Sequence, residues 1–125
     1  MLTIHFHPVW EEQLTEKEKD KYIQKAKSLP ITKDAFTVTP IMTKYKKNGG
    51  LVATVLLHNG FDNDLHVTKQ WVRVLDRTHK TIAEETFTIP LHIQAMSSQP
   101  WSFVFSNNMV FQIDADLNKV HISII

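Results

Sequence analysis

Leu51-Val-Ala-Thr-Val-Leu-Leu-His58 decides the fold. The run is nearly all apolar, as expected of a central strand covered on both faces rather than one alternating between core and water. Immediately before it, Lys46-Lys-Asn-Gly-Gly50 reads as a turn, and Asn48-Gly49 is the strongest hairpin signal in the chain. The partner strand is then Phe36-Thr-Val-Thr39 continuing through Pro40 into Ile41-Met-Thr-Lys-Tyr45. A proline there has no amide hydrogen for a ladder, so Pro40 predicts an edge or a bulge. After the central run, Asn59-Gly60 ends the strand and Phe61-Asp-Asn-Asp-Leu65 forms a polar loop.

Further along, Trp71-Val-Arg-Val-Leu75 alternates two rows, with Trp71, Arg73 and Leu75 on one face and Val72 and Val74 on the other. Arg77-Thr-His-Lys80 turns, and Thr81 to Ile89 returns as the partner strand. Pro90 and Pro100 are expected to bracket a loop-rich segment containing Ile93 and Met96. Trp101-Ser-Phe-Val-Phe105 is a strand with its three aromatics on one side, and Val120 to Ile125 closes the chain as another. Both Trp71 and Trp101 are expected to be buried. Six or seven short strands with frequent turns make an all-β sandwich.

Residues 11 to 29 differ. Thr15-Glu-Lys-Glu18 fits a capping box, with Thr15 as N-cap and Glu18 three residues on. Glu16, Glu18 and Asp20 lie early and Lys25 and Lys27 late, as the helix dipole favours. Tyr22, Ile23, Ala26 and Leu29 recur at helical spacing, and Pro30 stops continuation. One helix over about 15–28 is thus joined to sandwich strands over about 35–125, all in a single domain spanning 1–125.

The bulk numbers narrow the function. With 14 basic and 13 acidic residues the net charge is +1, so no strong field recruits nucleic acid or anionic lipid. The absence of cysteine excludes disulfides, thiol catalysis and zinc–thiolate sites. No apolar stretch is long enough to span a membrane. The first residues, Met1 to His7, lack the basic and apolar regions of a secretory signal, so a cytoplasmic location is expected.

Seven histidines raise the question of metal. His5 and His7 would face the same way on a strand, with His121 the conceivable third ligand, but two partly exposed imidazoles are the ordinary explanation. The Asp62–Asp64 stretch opens like a calcium loop, yet Val67 and Arg73 stand where glycine and glutamate are needed, so an EF-hand fails. A looser calcium site from Asp62, Asp64, Asp114 and Asp116 is the alternative to plain turn-forming aspartates. Glu84 and Glu85, as strand neighbours, face opposite ways and cannot form an acid–base dyad together. No nucleophile elbow, zinc helix or phosphate loop occurs, so neither an enzyme nor a cofactor is expected. Trp10, beside Pro8 and Val9, is the tryptophan expected to be partly exposed, as a binding residue or as an anchor of helix to sheet.

Trp10-Glu-Glu-Gln-Leu-Thr-Glu-Lys-Glu-Lys-Asp-Lys-Tyr22, Leu29-Pro30 and Val38-Thr-Pro-Ile41 resemble the SLAP domain of Gram-positive bacteria. So do Gly50-Leu-Val-Ala-Thr-Val-Leu-Leu-His-Asn-Gly60, Ile82-Ala-Glu84 and Pro100-Trp-Ser-Phe-Val-Phe105. The blocks run in order over roughly 10–125. The resemblance implies an immunoglobulin-like antiparallel β-sandwich with one N-terminal α-helix, found in proteins linked to S-layer assembly and accessory secretion. It transfers no catalytic residues, because the motif is a set of packing and turn positions. Neither a signal peptide nor a second copy of the domain accompanies it, which favours the cytoplasmic expectation over an envelope one. A non-catalytic module is expected, binding protein partners from secretion or S-layer assembly through the helix face or a strand edge, either the Pro40 strand or the last one. An uncovered edge could also pair two copies into a homodimer. The rival is a cell-wall polymer- or calcium-binding sandwich using Trp10 or the Asp62–Asp64 loop.

Overall fold

The computed structural model describes residues 3–4, 12–27 and 31–124. Seven strands and one regular α-helix are found among them: β1 (Thr3–Ile4), α1 (Glu16–Lys27), β2 (Phe36–Tyr45), β3 (Leu51–Asn59), β4 (Leu65–Leu75), β5 (Thr81–Ile93), β6 (Ser97–Phe105) and β7 (His121–Ile124). A short 3-10 turn at Asn107–Met109 follows β6. The strands form two sheets, ordered β1-β6-β3-β2 and β5-β4-β7, packed face to face as an immunoglobulin-like sandwich. All ladders between the long strands are antiparallel, and only the two-residue β1 runs parallel to its neighbour, β6.

β3 is the central strand that its composition announces. Leu51, Ala53, Val55 and Leu57 point into the inter-sheet core, where they meet Val72, Val74, Ile82, Leu91, Phe103 and Phe105. Its alternate row, Thr54, Leu56 and His58, is buried on the opposite face of the same sheet. The hairpin before it closes as expected: the Lys46 N–H donates to the Gly50 carbonyl at 2.8 Å, and Gly49 takes a φ of +89°, a conformation suited to glycine. At the other end, a Cβ on Gly60 would stand 1.8 Å from the Thr32 carbonyl oxygen, so no side chain fits there.

Three expectations need correction. Pro90 and Pro100 do not bracket a loop: β5 runs through Pro90 to Ile93, and β6 starts at Ser97 and contains Pro100. Pro90 is tolerated at a register irregularity of an outer strand, and Pro100 lies beyond the two residues at which β1 pairs with β6. Trp71 is not core. The parity of β4 changes across an irregularity between Val67 and Lys69, so that Gln70, Val72 and Val74 face inward while Trp71, Arg73 and Leu75 face outward. The Arg73 guanidinium carbon sits 4.5 Å from the Trp71 ring centroid, and its Nε donates to Glu84 Oε1 at 2.8 Å. Trp101 is half-buried instead of fully enclosed, although it shares the inward face of Phe103 and Phe105 and packs on the core.

These two placements separate the tryptophans energetically. Trp101→Ala should lower unfolding free energy by about 2–3 kcal/mol, below the range for a fully enclosed aromatic because part of the ring is already wet. Trp71→Ala should cost about 1 kcal/mol, chiefly the contact with Arg73. Urea titrations giving equal losses would show that the faces of β4 are misassigned.

Candidate functional site

The open side of the sandwich is where β2 and β7 lie next to each other, each with only one ladder partner. Both edge candidates from the sequence therefore fall on one side of the molecule. β2 follows β3 along its whole length, but the register slips between Pro40 and Met42, leaving Ile41 as the extra residue. The bulge changes which parity faces inward. Phe36 and Val38 pack on the core before it and Tyr45 after it, while Met42 and Lys44 lie outward, with Met42 52% exposed. Proline without a donor, followed by a bulge, divides the free edge of β2 into two short stretches.

Two grooves meet at that bulge. One, of about 490 Å³, lies between α1 and β2 and is lined by Glu18, Lys21, Tyr22, Lys25, Ile41 and Met42. The other, of about 220 Å³, runs between β2 and the approach to β7 and includes Pro40, Ile41, Met42, Thr43, Leu117 and Val120. Ile41 and Met42 border both, so the grooves form one surface. Within the second, Thr43 Oγ1 is buried without a hydrogen-bond partner among the described residues.

α1 is set by the expected capping box. The Thr15 N–H donates to Glu18 Oε1 at 3.0 Å, and the Glu18 N–H donates to Thr15 Oγ1 at 3.2 Å. The backbone bond from Thr15, more than its side-chain bond, holds the Glu18 carboxyl below its usual range. Lys17, Lys21 and Lys25 follow at four-residue spacing on one helix ridge. Tyr22 and Ile23 are half-buried as the stripe requires; Leu29 and Pro30 lie outside the described residues. Lys44, Lys46 and Lys47 are exposed at the other end of β2. Cationic side chains thus flank the apolar Ile41–Met42 patch at both ends.

The segment from β6 to β7 crosses the hairpin end of the sandwich and fixes β7 in place. The Tyr45 hydroxyl donates to the Gln112 carbonyl at 2.6 Å and accepts the Ala115 N–H at 3.1 Å. The Gln112 side chain donates to Asp76 Oδ2 and to the Thr81 carbonyl. Hydrogen bonds from Thr78 and Lys80, with Gln112, hold the Asp76 carboxyl far below the ordinary carboxylate range.

The four aspartates of the calcium reading are not brought together. Asp62 and Asp64 precede β4, whereas Asp116 lines a cavity with Asp76 and Thr78 beyond its far end, with Asp114 on the same segment. β4 has 11 residues, which puts roughly 30 Å between the two pairs. Asp64 is occupied locally, accepting from Ala95 N–H at 2.9 Å and lying 2.8 Å from His92 Nε2. His5, His7 and Trp10 lie outside the described residues, and His121 stacks on His79 with ring centroids 4.9 Å apart. Among the described residues no group of three or more His, Asp or Glu side chains is placed to hold a metal. Glu84 and Glu85 diverge as expected: Glu84 meets Arg73, and Glu85 accepts from Ser106 Oγ and N–H.

His58 lies near the end of β3, inside the molecule. It is 2% exposed, and its Nδ1 and Nε2 share hydrogen bonds with Ser98 Oγ at 2.6 Å and Thr39 Oγ1 at 2.8 Å. A histidine closing an apolar strand was its only signal.

A family model described as the SLAP domain matches residues 4–125. The chain belongs to the SLAP-domain family. No curated protein and no solved structure shows significant similarity to it. Two of the blocks that resemble the family map onto the inside of the fold: Gly50–Gly60 is β3 with its corner, and Pro100–Phe105 is the inward aromatic run of β6. Val38–Ile41 runs into the β2 bulge, and the described part of the first block, residues 12–22, leads into the exposed first turns of α1.

Burial pushes the His58 imidazole below its ordinary value, so the unfolded chain binds this proton more readily than the folded one. Its stabilising contribution is complete above the unfolded value near 6.5 and is lost as pH falls below it. Comparing wild type with His58→Gln by chemical denaturation should therefore show a stability gap that narrows from pH 7.5 toward pH 5. A gap of constant size would mean that His58 does not titrate in this window.

Proposed function

We propose that this SLAP domain is a non-catalytic protein-interaction module acting in S-layer assembly or accessory secretion, and that partners dock on the open β2–β7 side. The observation that carries the reading is the convergence at Ile41 and Met42 of an uncovered strand edge, two grooves and the face of α1. Strand edges offer unpaired backbone donors and acceptors, and side-chain grooves beside them supply selectivity. Pro40 and the bulge leave no long continuous free edge on β2 for a ladder with a second copy.

The test is capture on the immobilised domain from cytosolic and envelope extracts of the host cell, which also reports the compartment. Retention of a secretion or S-layer assembly protein that is lost with Met42→Arg, while urea midpoints stay within experimental error, is the expected result. Equal retention by the variant would remove the docking side from the account. Binding confined to purified wall polymer would favour the rival polymer-binding module.

A further inference from the structure

On the side of the sandwich away from β7, we infer that β5 pairs with β5 of a second copy to form a symmetric dimer. The other strand edges among the described residues are short or broken. β2 is cut by Pro40 and its bulge, β7 has four residues, and β6 is partly paired by β1 and carries Pro100. β5 has 13 residues and is the outer strand of its sheet, with β4 as its ladder partner. Its free edge is bounded at both ends. An isolated bridge between Ala83 and Val110 covers the start, and Pro90 lacks a donor at the finish. Between them, Glu84-Glu-Thr-Phe-Thr88 keeps unbroken register with β4 and contains neither proline nor lysine, two of the devices by which edges avoid pairing.

The backbone fixes which groups face the second copy. The Ile82 carbonyl turns away from β4 to accept the Phe111 N–H at 2.7 Å. Peptide groups alternate in direction along a strand, so Glu84, Thr86 and Thr88 point their N–H and C=O outward, while Glu85 and Phe87 point theirs at β4. A two-fold axis at Phe87 sets Thr86 of one copy opposite Thr88 of the other, twice. Each of these pairs exchanges two backbone hydrogen bonds. The side chains agree with that register. Thr86 and Thr88 are exposed and make threonine–threonine pairs on the outer face, a favourable cross-strand combination. Phe87 meets its own equivalent on the inner face, where Phe103 and Phe105 already hold it at centroid distances of 5.0 and 5.1 Å. Glu84 is taken by Arg73 and Glu85 by Ser106, and the axis places neither carboxylate opposite its copy. β7 is the far edge of the same sheet, so this dimer leaves the β2–β7 side free on both copies and makes the assembly bivalent. A ladder this short is a small interface, which sets a reversible dimer with a dissociation constant on the order of micromolar.

The experiment is sedimentation equilibrium of the whole chain from about 1 μM to about 1 mM, where a 14.5 kDa species is expected to give way to one of twice that mass. Thr86→Lys/Thr88→Lys puts lysine opposite lysine across the axis and should raise the dissociation constant about tenfold. Thr86→Lys/Thr88→Glu puts lysine opposite glutamate and should restore it. Met42→Arg, on the docking side, should leave dimerisation unchanged. Circular dichroism and urea midpoints check that the variants fold. Amide exchange followed by NMR needs no variant: the Thr86 and Thr88 N–H groups should exchange more slowly as the concentration rises. A single 14.5 kDa species throughout would overturn the inference. So would equal dimerisation of the two double variants, or exchange at Thr86 and Thr88 that ignores concentration. A dimer abolished by Met42→Arg would overturn it as well, by moving the contact to β2.

Discussion

The corner at Asn59 and Gly60 is the constraint on which the rest of the molecule depends. The fully buried Asn59 amide nitrogen lies within hydrogen-bond distance of the carbonyls of Asn63, Ile93 and Gln94, while its oxygen accepts the Phe61 N–H. One side chain thus ties the end of β3, the start of the β3–β4 loop and the end of β5, joining the two sheets. Removing it would strand buried carbonyls, which is costlier than losing a solvated bond. Gly60 adds a backbone contact: its N–H donates to Ala35 and its carbonyl accepts from Asp34, an approach that any Cβ would block. The chain entering β2 is therefore anchored to the exit of β3.

That anchoring explains how β2 can tolerate Pro40. A strand fixed at Phe36 by the corner and at Tyr45 by the tight Asn48-Gly49 turn stays in the sheet although its ladder slips in the middle. Interruption on the outer edge suppresses indiscriminate pairing, since long uninterrupted edges invite aggregation. It also throws Ile41 and Met42 into the space between α1 and β7, where an apolar patch arises among lysines. Rigidity at both ends and irregularity between them produce the exposed Ile41–Met42 patch.

Most of this was legible in the sequence where backbone chemistry dictates the outcome. Thr15 and Glu18 make the helix start they specify, Asn48-Gly49 makes the hairpin, and Pro40 marks both an edge and a bulge, because each depends on hydrogen bonds within a few residues. Reading failed where two faces were equally apolar. In Trp71-Val-Arg-Val-Leu75, size favoured Trp71 for the core, but Arg73 shares its row and cannot be buried without a partner, so the charged neighbour was the better guide. The extent of β5 and β6 was hidden by prolines whose positions in the sheet depend on which neighbouring strand stops short. Nor could spacing alone show that Asp62 and Asp116 lie at opposite ends of β4, or that α1 and β7 flank the same edge.

The central claim is that binding happens on the β2–β7 side, and backbone amide chemical-shift mapping tests it most directly. With the captured partner added to isotope-labelled domain, the account predicts that the largest shifts cluster at residues 41–45 and along α1. The outer face of the second sheet, marked by Trp71, Arg73 and Thr86, should stay silent. Shifts centred on that face, with β2 unmoved, would contradict the account.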